Sequence, residues 1–163
     1  MATNADQSEF LKMVDDHGAA VLAMLRRLCG NTPDAEDAFQ ETAVRVWKSF
    51  DRQPPLRNPR AWLMSIAYRA FVDQNARRRK GDILTDVADH RLHSPGDAAV
   101  KVEEATQIGT AIEELSENLR QVVVLHYTGG LTLQETAAAL DIPIGTVKSR
   151  LGMALTKLRS ILS

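Results

Sequence analysis

The sequence predicts an all-α chain made of two small helical domains joined by a flexible acidic linker. Apolar residues recur at three- and four-residue spacing through most of its length, and no segment alternates apolar and polar residues as a strand would. Between Gly81 and about Glu104 that pattern lapses into a Gly-, Pro- and Asp-containing stretch with few large apolar side chains. The 163 residues, 44% hydrophobic and 25% charged, are of ordinary globular composition and suffice for one domain or two small ones.

Residues 8–29 place Phe10, Val14, Val21, Leu25 and Leu28 on one helical stripe that stops at Gly30. Asn31, Thr32 and Pro33 make a turn. From Asp34 to Phe50 a second stripe runs through Ala35, Phe39, Ala43, Val46 and Phe50, and Asp34, Glu36 and Asp37 complement the positive end of the helix dipole. A loop with Pro54 and Pro55 follows. Asn58 before Pro59 is a capping residue followed by a first-turn proline, opening a third helix to about Lys80 on a stripe of Trp62, Leu63, Ile66 and Ala70. The domain boundary is expected here, giving domains at 1–80 and 107–163 with a linker over 81–106. Helical spacing returns over 107–115 and again over 116–127, with His126 a marginal core position, and Gly129-Gly130 ends the run. Thr132 and Glu135 form a capping box for a helix from Leu133 to Leu140, and Asp141-Ile142-Pro143 turns into a last helix ending at Leu162.

The net charge of −1 conceals a strong segregation. Residues 57–81 hold seven basic side chains against one acidic, and 118–163 hold five against two, whereas 82–117 hold two against nine. Two basic segments flanking an acidic one suit a polyanion gripped at two places; charge alone fits three solvated faces equally well. The lone Cys29 excludes an internal disulfide and reads as a small buried residue. His90 and His93 lack a third ligand nearby, so neither a metal nor a cofactor is expected. No paired acids, no nucleophile with a base and no phosphate loop can be assembled, so no enzyme is expected. The absence of a signal-peptide pattern and of a 20-residue apolar run points to a cytoplasmic protein without membrane insertion.

Residues 132–159 read as a helix-turn-helix. At 100° per residue, Ile144, Val147, Leu151, Leu155, Leu158 and Leu162 cluster on one face of the last helix. Thr146, Ser149, Gly152, Met153 and Thr156 lie opposite, with Lys148 and Arg150 beside them. Short side chains let such a face approach base edges in a major groove while the cations meet phosphates. A plain helical hairpin is the bland alternative.

The run from Ser116 to Ser149 resembles region 4 of bacterial sigma factors, in particular the extracytoplasmic-function (ECF) group. Asp34-Ala35-Glu36-Asp37-Ala38-Phe39-Gln40-Glu41, continuing to Val46-Trp47, resembles the region-2 helix that docks on RNA polymerase. Asn58-Pro59-Arg60-Ala61-Trp62-Leu63, with Ile66-Ala67 and the Arg77-Arg78-Arg79-Lys80 end, resembles the helix that engages the minus-ten element. The resemblance implies a transcription initiation factor with core RNA polymerase, promoter DNA and an anti-sigma factor as partners. It implies docking through Asp37, Gln40, Glu41 and Val44, and DNA contacts through Ser65, Tyr68, Arg69, Asn75, Arg77, Arg78 and Arg79. In the helix-turn-helix it implies contacts through Thr146, Lys148, Ser149, Arg150 and Met153. It also implies a base pocket in loop 50–58, although that loop is atypical here, and Arg69 stands where many members carry Asn. The rival reading is a helix-turn-helix regulator that binds DNA alone; segment 34–80, which such a regulator does not need, argues against it.

Overall fold

The computed structural model describes residues 4–50, 57–84 and 101–163. Among the described residues there are helices and no strands, as the sequence predicts. The chain divides into two compact units, one within residues 1–91 and one within 92–163.

Unit 1 is built from α1 (Asn4–Cys29), α2 (Thr32–Ser49) and α3 (Pro59–Leu84), each packed against the other two. Gly30 ends α1 with φ of 79°, a left-handed conformation that glycine adopts without steric cost. Asn31 then caps α2, its Oδ1 accepting from the Asp34 amide at 2.9 Å, so α2 starts at Thr32 rather than at Asp34. Asn58 caps α3 in the same way, accepting from the Ala61 amide at 3.1 Å. The core joins Val21, Met24, Leu25 and Leu28 of α1 to Ala35, Ala38 and Val46 of α2 and to Leu63, Met64, Ala67, Ala70 and Phe71 of α3.

Two stripes differ from expectation. On α3 the buried arc is turned toward Met64, Ala67 and Phe71, leaving Trp62 and Ile66 half-buried, because α3 must face both α1 and α2. On α2 it reaches Ala38 and Thr42; the Thr42 hydroxyl is tolerated in the core because it donates to the Ala38 carbonyl at 2.6 Å.

Unit 2 comprises α4 (Lys101–Glu113), α5 (Glu117–Val123), α6 (Leu133–Leu140) and α7 (Ile144–Leu162). Because α3 runs to Leu84 and α4 starts at Lys101, both ends of the expected linker 81–106 are helical. His90 and His93, and most of loop 50–58, lie outside the described residues.

α5 continues into a π turn, Val124–Thr128, closed by the Gly129 amide donating to the Val124 carbonyl at 2.8 Å. This wider turn changes the helical register, so four consecutive side chains, Val122 to Leu125, are all buried. A 3.6-residue period predicts no such run. His126 is half-buried beside the core, its Nδ1 2.7 Å from the Leu131 carbonyl oxygen. Arg120 secures the corner between α4 and α5: its guanidinium donates to the carbonyls of Ile112 (3.3 Å), Glu113 (2.6 Å) and Leu115 (2.9 Å).

Candidate functional site

In unit 2 the expected helix-turn-helix is present. The Thr132 hydroxyl accepts from the Glu135 amide at 3.0 Å and the Glu135 carboxylate accepts from the Thr132 amide at 3.0 Å, the reciprocal capping box. Asp141 ends α6 in the left-handed region (φ 55°), and the Ile142 amide donates to the Ala137 carbonyl at 3.1 Å. On α7, Val147, Leu151 and Ala154 are buried. Lys148, Ser149, Gly152, Met153 and Thr156 are exposed, and Thr146 and Arg150 are half-buried. Ile144 and Leu162, expected on the buried face, are exposed: they lie in the first and last turns of α7, and the arc of Val147, Leu151 and Ala154 is centred roughly 50° round the helix from both. Met153, at 60% exposure, is a large apolar side chain offered to solvent on the face opposite the core.

In unit 1, Asp37, Gln40 and Val44 are exposed and Glu41 is half-buried, so the four expected docking residues share one arc of α2. Val44 is 46% exposed among charges. Trp47, one turn further on, extends that arc at 39% exposure, with its ring edge-on to Phe10 at 5.1 Å. Its three-residue spacing from Val44 puts the two side chains on one face of α2. The Glu41–Arg45 pair forms at 3.0 Å, and Arg45 also reaches Asp73 of α3 at 2.8 Å.

The DNA-contact residues expected on α3 divide. Arg69 and Arg79 are exposed, Ser65 and Asn75 are half-buried, and the Ser65 hydroxyl donates to the Ala61 carbonyl at 2.9 Å. Tyr68 does not stand on an open face: it is 8% exposed with its ring 6.1 Å from that of Phe71, and a buried ring cannot stack on a base without leaving its packing. Arg77, Arg78 and Arg79 do not act as one patch, because consecutive helical residues point about 100° apart. Arg78 turns back to α2 and forms a two-pronged ion pair with Asp34. Arg77 lies in the cleft between α2 and α3 beside Asp37 and Glu41.

Asp34 is thus a structural joint. Its carboxylate accepts from Arg78 and, at 2.6 Å, from the Asn31 amide group, and its carbonyl accepts from Gln74 at 3.2 Å. Chiefly through the Arg78 hydrogen bonds, its pKa is held below the ordinary aspartate value. Beside this joint, burial first and the Asp34 charge second push the Cys29 thiol up to about 12. Cys29, expected to be buried, is half-buried, and a thiol so raised carries little thiolate at neutral pH.

Comparison with known proteins follows this division. A family model described as sigma-70 region 2 matches residues 13–81, and one described as sigma-70 region 4 matches residues 105–158. The chain is 33% identical to the ECF RNA polymerase sigma factor SigW of Bacillus subtilis, over 94% of this chain and 89% of that one. The chain belongs to the ECF group of sigma factors. It is also 30% identical to SigL of Mycobacterium tuberculosis, over 97% of this chain and 91% of that one. Among solved structures it resembles CnrH in complex with the cytosolic domain of CnrY (27% identity, TM-score 0.69, 96% of this chain and 88% of that one). The sigma factor RpoE bound to the anti-sigma factor NepR from Bartonella quintana shares the fold (24% identity, TM-score 0.78, 98% of both chains). As an ECF sigma factor the protein is a transcription initiation factor that directs core RNA polymerase to promoters. No helix among the described residues is long and apolar enough to cross a membrane.

Proposed function

We propose that residues 1–80 bind core polymerase and the minus-ten element, that 107–163 bind the minus-thirty-five element, and that 81–106 connect them. Polymerase docks on the α2 arc of Asp37, Gln40, Glu41 and Val44, with Trp47 extending it. The observation that carries this is Val44: an apolar side chain left in water within an otherwise charged arc favours a partner that buries it. On α3, Ser65, Arg69, Asn75 and Arg79 meet promoter DNA, where arginines hold phosphates and the amide and hydroxyl read unpaired bases. On α7, Lys148 and Arg150 anchor phosphates beside Thr146, Ser149 and Met153 in the major groove, with Met153 against a thymine methyl. The protein has no catalytic role of its own, acts in the cytoplasm, and is held inactive by an anti-sigma factor of the kind that RpoE binds in its complex with NepR.

The experiment is reconstitution with core polymerase on genomic DNA, followed by mapping of transcript starts. New starts preceded by a shared two-part motif are expected. An identical specific footprint with and without core enzyme would instead favour a stand-alone regulator. In the same assay, Met153→Arg raises promoter affinity and steepens its salt dependence by about one phosphate contact. An unchanged slope would remove Met153 from the DNA surface.

A further inference from the structure

Between α2 and α3 lies an open cleft of about 390 Å³, floored by Ala38 and Ala70, both almost fully buried. Asp37 and Glu41 form one wall, and Gln74, Arg77 and Arg78 form the other. Ion pairs between the helices brace it, Asp34 with Arg78 and Arg45 with Asp73, and Arg45 also pairs with Glu41 within α2. Arg78 and Arg45 are therefore engaged within the chain, whereas the Arg77 guanidinium makes only a long bond, 3.4 Å from Nε to the Asp73 carbonyl, and is exposed. The cleft carries both signs of charge on a small-residue floor, and it continues the α2 arc that holds Asp37 and Glu41.

We infer that the polymerase-docking surface crosses this cleft, and that Gln74 and Arg77 contact core polymerase rather than DNA. The inference rests on the docking reading of α2 above. Two arguments place Arg77 on the polymerase side. Arg79 follows Arg77 by two residues, which puts the two side chains roughly 160° apart round α3, so one duplex or strand lying on the Arg79 face does not reach Arg77. The carboxylates of Asp37 and Glu41 also repel a phosphate backbone from the cleft that Arg77 occupies, while a protein segment can satisfy both signs. The fitting partner is a helix of core polymerase that sets a basic side chain against Asp37 and Glu41 and an acidic one against Arg77, its ridge over Ala38 and Ala70.

The test uses the full chain and core polymerase without DNA, followed by promoter titrations of the holoenzyme at several salt concentrations. Arg77→Glu is expected to weaken core binding on the order of ten-fold and Arg77→Gln by less, with the salt slope of promoter binding unchanged. Thermal melts followed by tryptophan fluorescence establish that both variants are folded. Asp37→Lys serves as the control for the α2 arc. If Asp37→Lys weakens core binding and both Arg77 variants bind as wild type, the docking surface ends at α2 and the extension is wrong. If Arg77→Glu instead flattens the promoter salt slope at unchanged core affinity, Arg77 is a DNA contact and the inference is overturned. Wild-type core affinity in all three variants would remove the α2 docking reading along with it.

Discussion

The two units hold their helices together by different means. In unit 1 the ties between α2 and α3 are chiefly side-chain ion pairs, Asp34 with Arg78 and Arg45 with Asp73, lying at or near the surface, beside one side-chain hydrogen bond from Gln74 to the Asp34 carbonyl. In unit 2 the ties run from side chain to main chain: Arg120 onto three carbonyls at the end of α4, and the Thr132–Glu135 box at the start of α6. Surface ion pairs weaken with salt and with protonation of the carboxylate, whereas a guanidinium on carbonyl oxygens has no carboxylate to lose. Unit 1 is therefore expected to be the more acid-sensitive half, while in unit 2 acid reaches the Glu135 arm of the capping box and leaves the Arg120 bonds intact. Both tryptophans, Trp47 and Trp62, and the single cysteine lie in unit 1, so fluorescence and thiol labelling report on it selectively in the intact chain.

The largest expected effect breaks the comparison from the side of unit 2. Arg120→Ala removes all three carbonyl bonds at the α4–α5 corner and should destabilise that unit by roughly 2–3 kcal/mol. Hydrogen exchange should show faster exchange across α4 to α7 with α1 to α3 unaffected; uniform protection in both units would contradict it.

Acid tests unit 1. The pKa of Asp34 is lower in the folded chain than in the unfolded one, so its contribution is complete above the unfolded value and is lost as pH falls toward the folded one. The fluorescence-monitored melting temperature should drop from about pH 5 to pH 3, and more steeply in wild type than in Asp34→Asn. At neutral pH Cys29, half-buried with its thiol pKa raised, should react with a thiol reagent more slowly in the folded chain than in the unfolded one. Equal pH slopes for wild type and Asp34→Asn would show that other carboxylates dominate.

A smaller gain is expected at Gly18, in the middle of α1 beside an apolar cavity of about 30 Å³ that Val14, Phe39 and Val46 also line. A methyl group there would sit 3.6 Å from Val14 and 3.7 Å from Phe39, ordinary contact distances. Gly18→Ala should stabilise unit 1 by about 1 kcal/mol through helix propensity, read as a higher fluorescence midpoint. The smallest effect is at Asp141, whose left-handed backbone carries a side chain. Asp141→Gly relieves that strain but loosens the unfolded chain, for a net gain of about 0.5 kcal/mol in unit 2, visible in calorimetry of the full chain.

Much of the fold was legible because it is written locally. The Asn58-Pro59 start, the Gly30 stop and the Thr132/Glu135 box are interactions within one turn, and all stand in the structure as read. A helical wheel gives the direction of an apolar stripe but not the width of what covers it. Tyr68, expected among the DNA contacts, is buried, while Ile144 and Leu162, expected on the core face, are exposed. The π turn at Val124 defeats the wheel altogether, since its register is not 3.6 residues.

By itself the sequence determined the helical class, the two-part organisation, the helix-turn-helix and the family, because periodicity, caps and motif spacing depend on residues close together in the chain. Tertiary structure alone decided how the cations of α3 are used. Arg77, Arg78 and Arg79 are equivalent in a run of basic residues, and they separate only when α2 lies alongside to supply Asp34 to one of them and Asp37 and Glu41 to the cleft of another. A charge run has no direction until a neighbouring helix, more than thirty residues away in sequence, places opposite charges on one side of it.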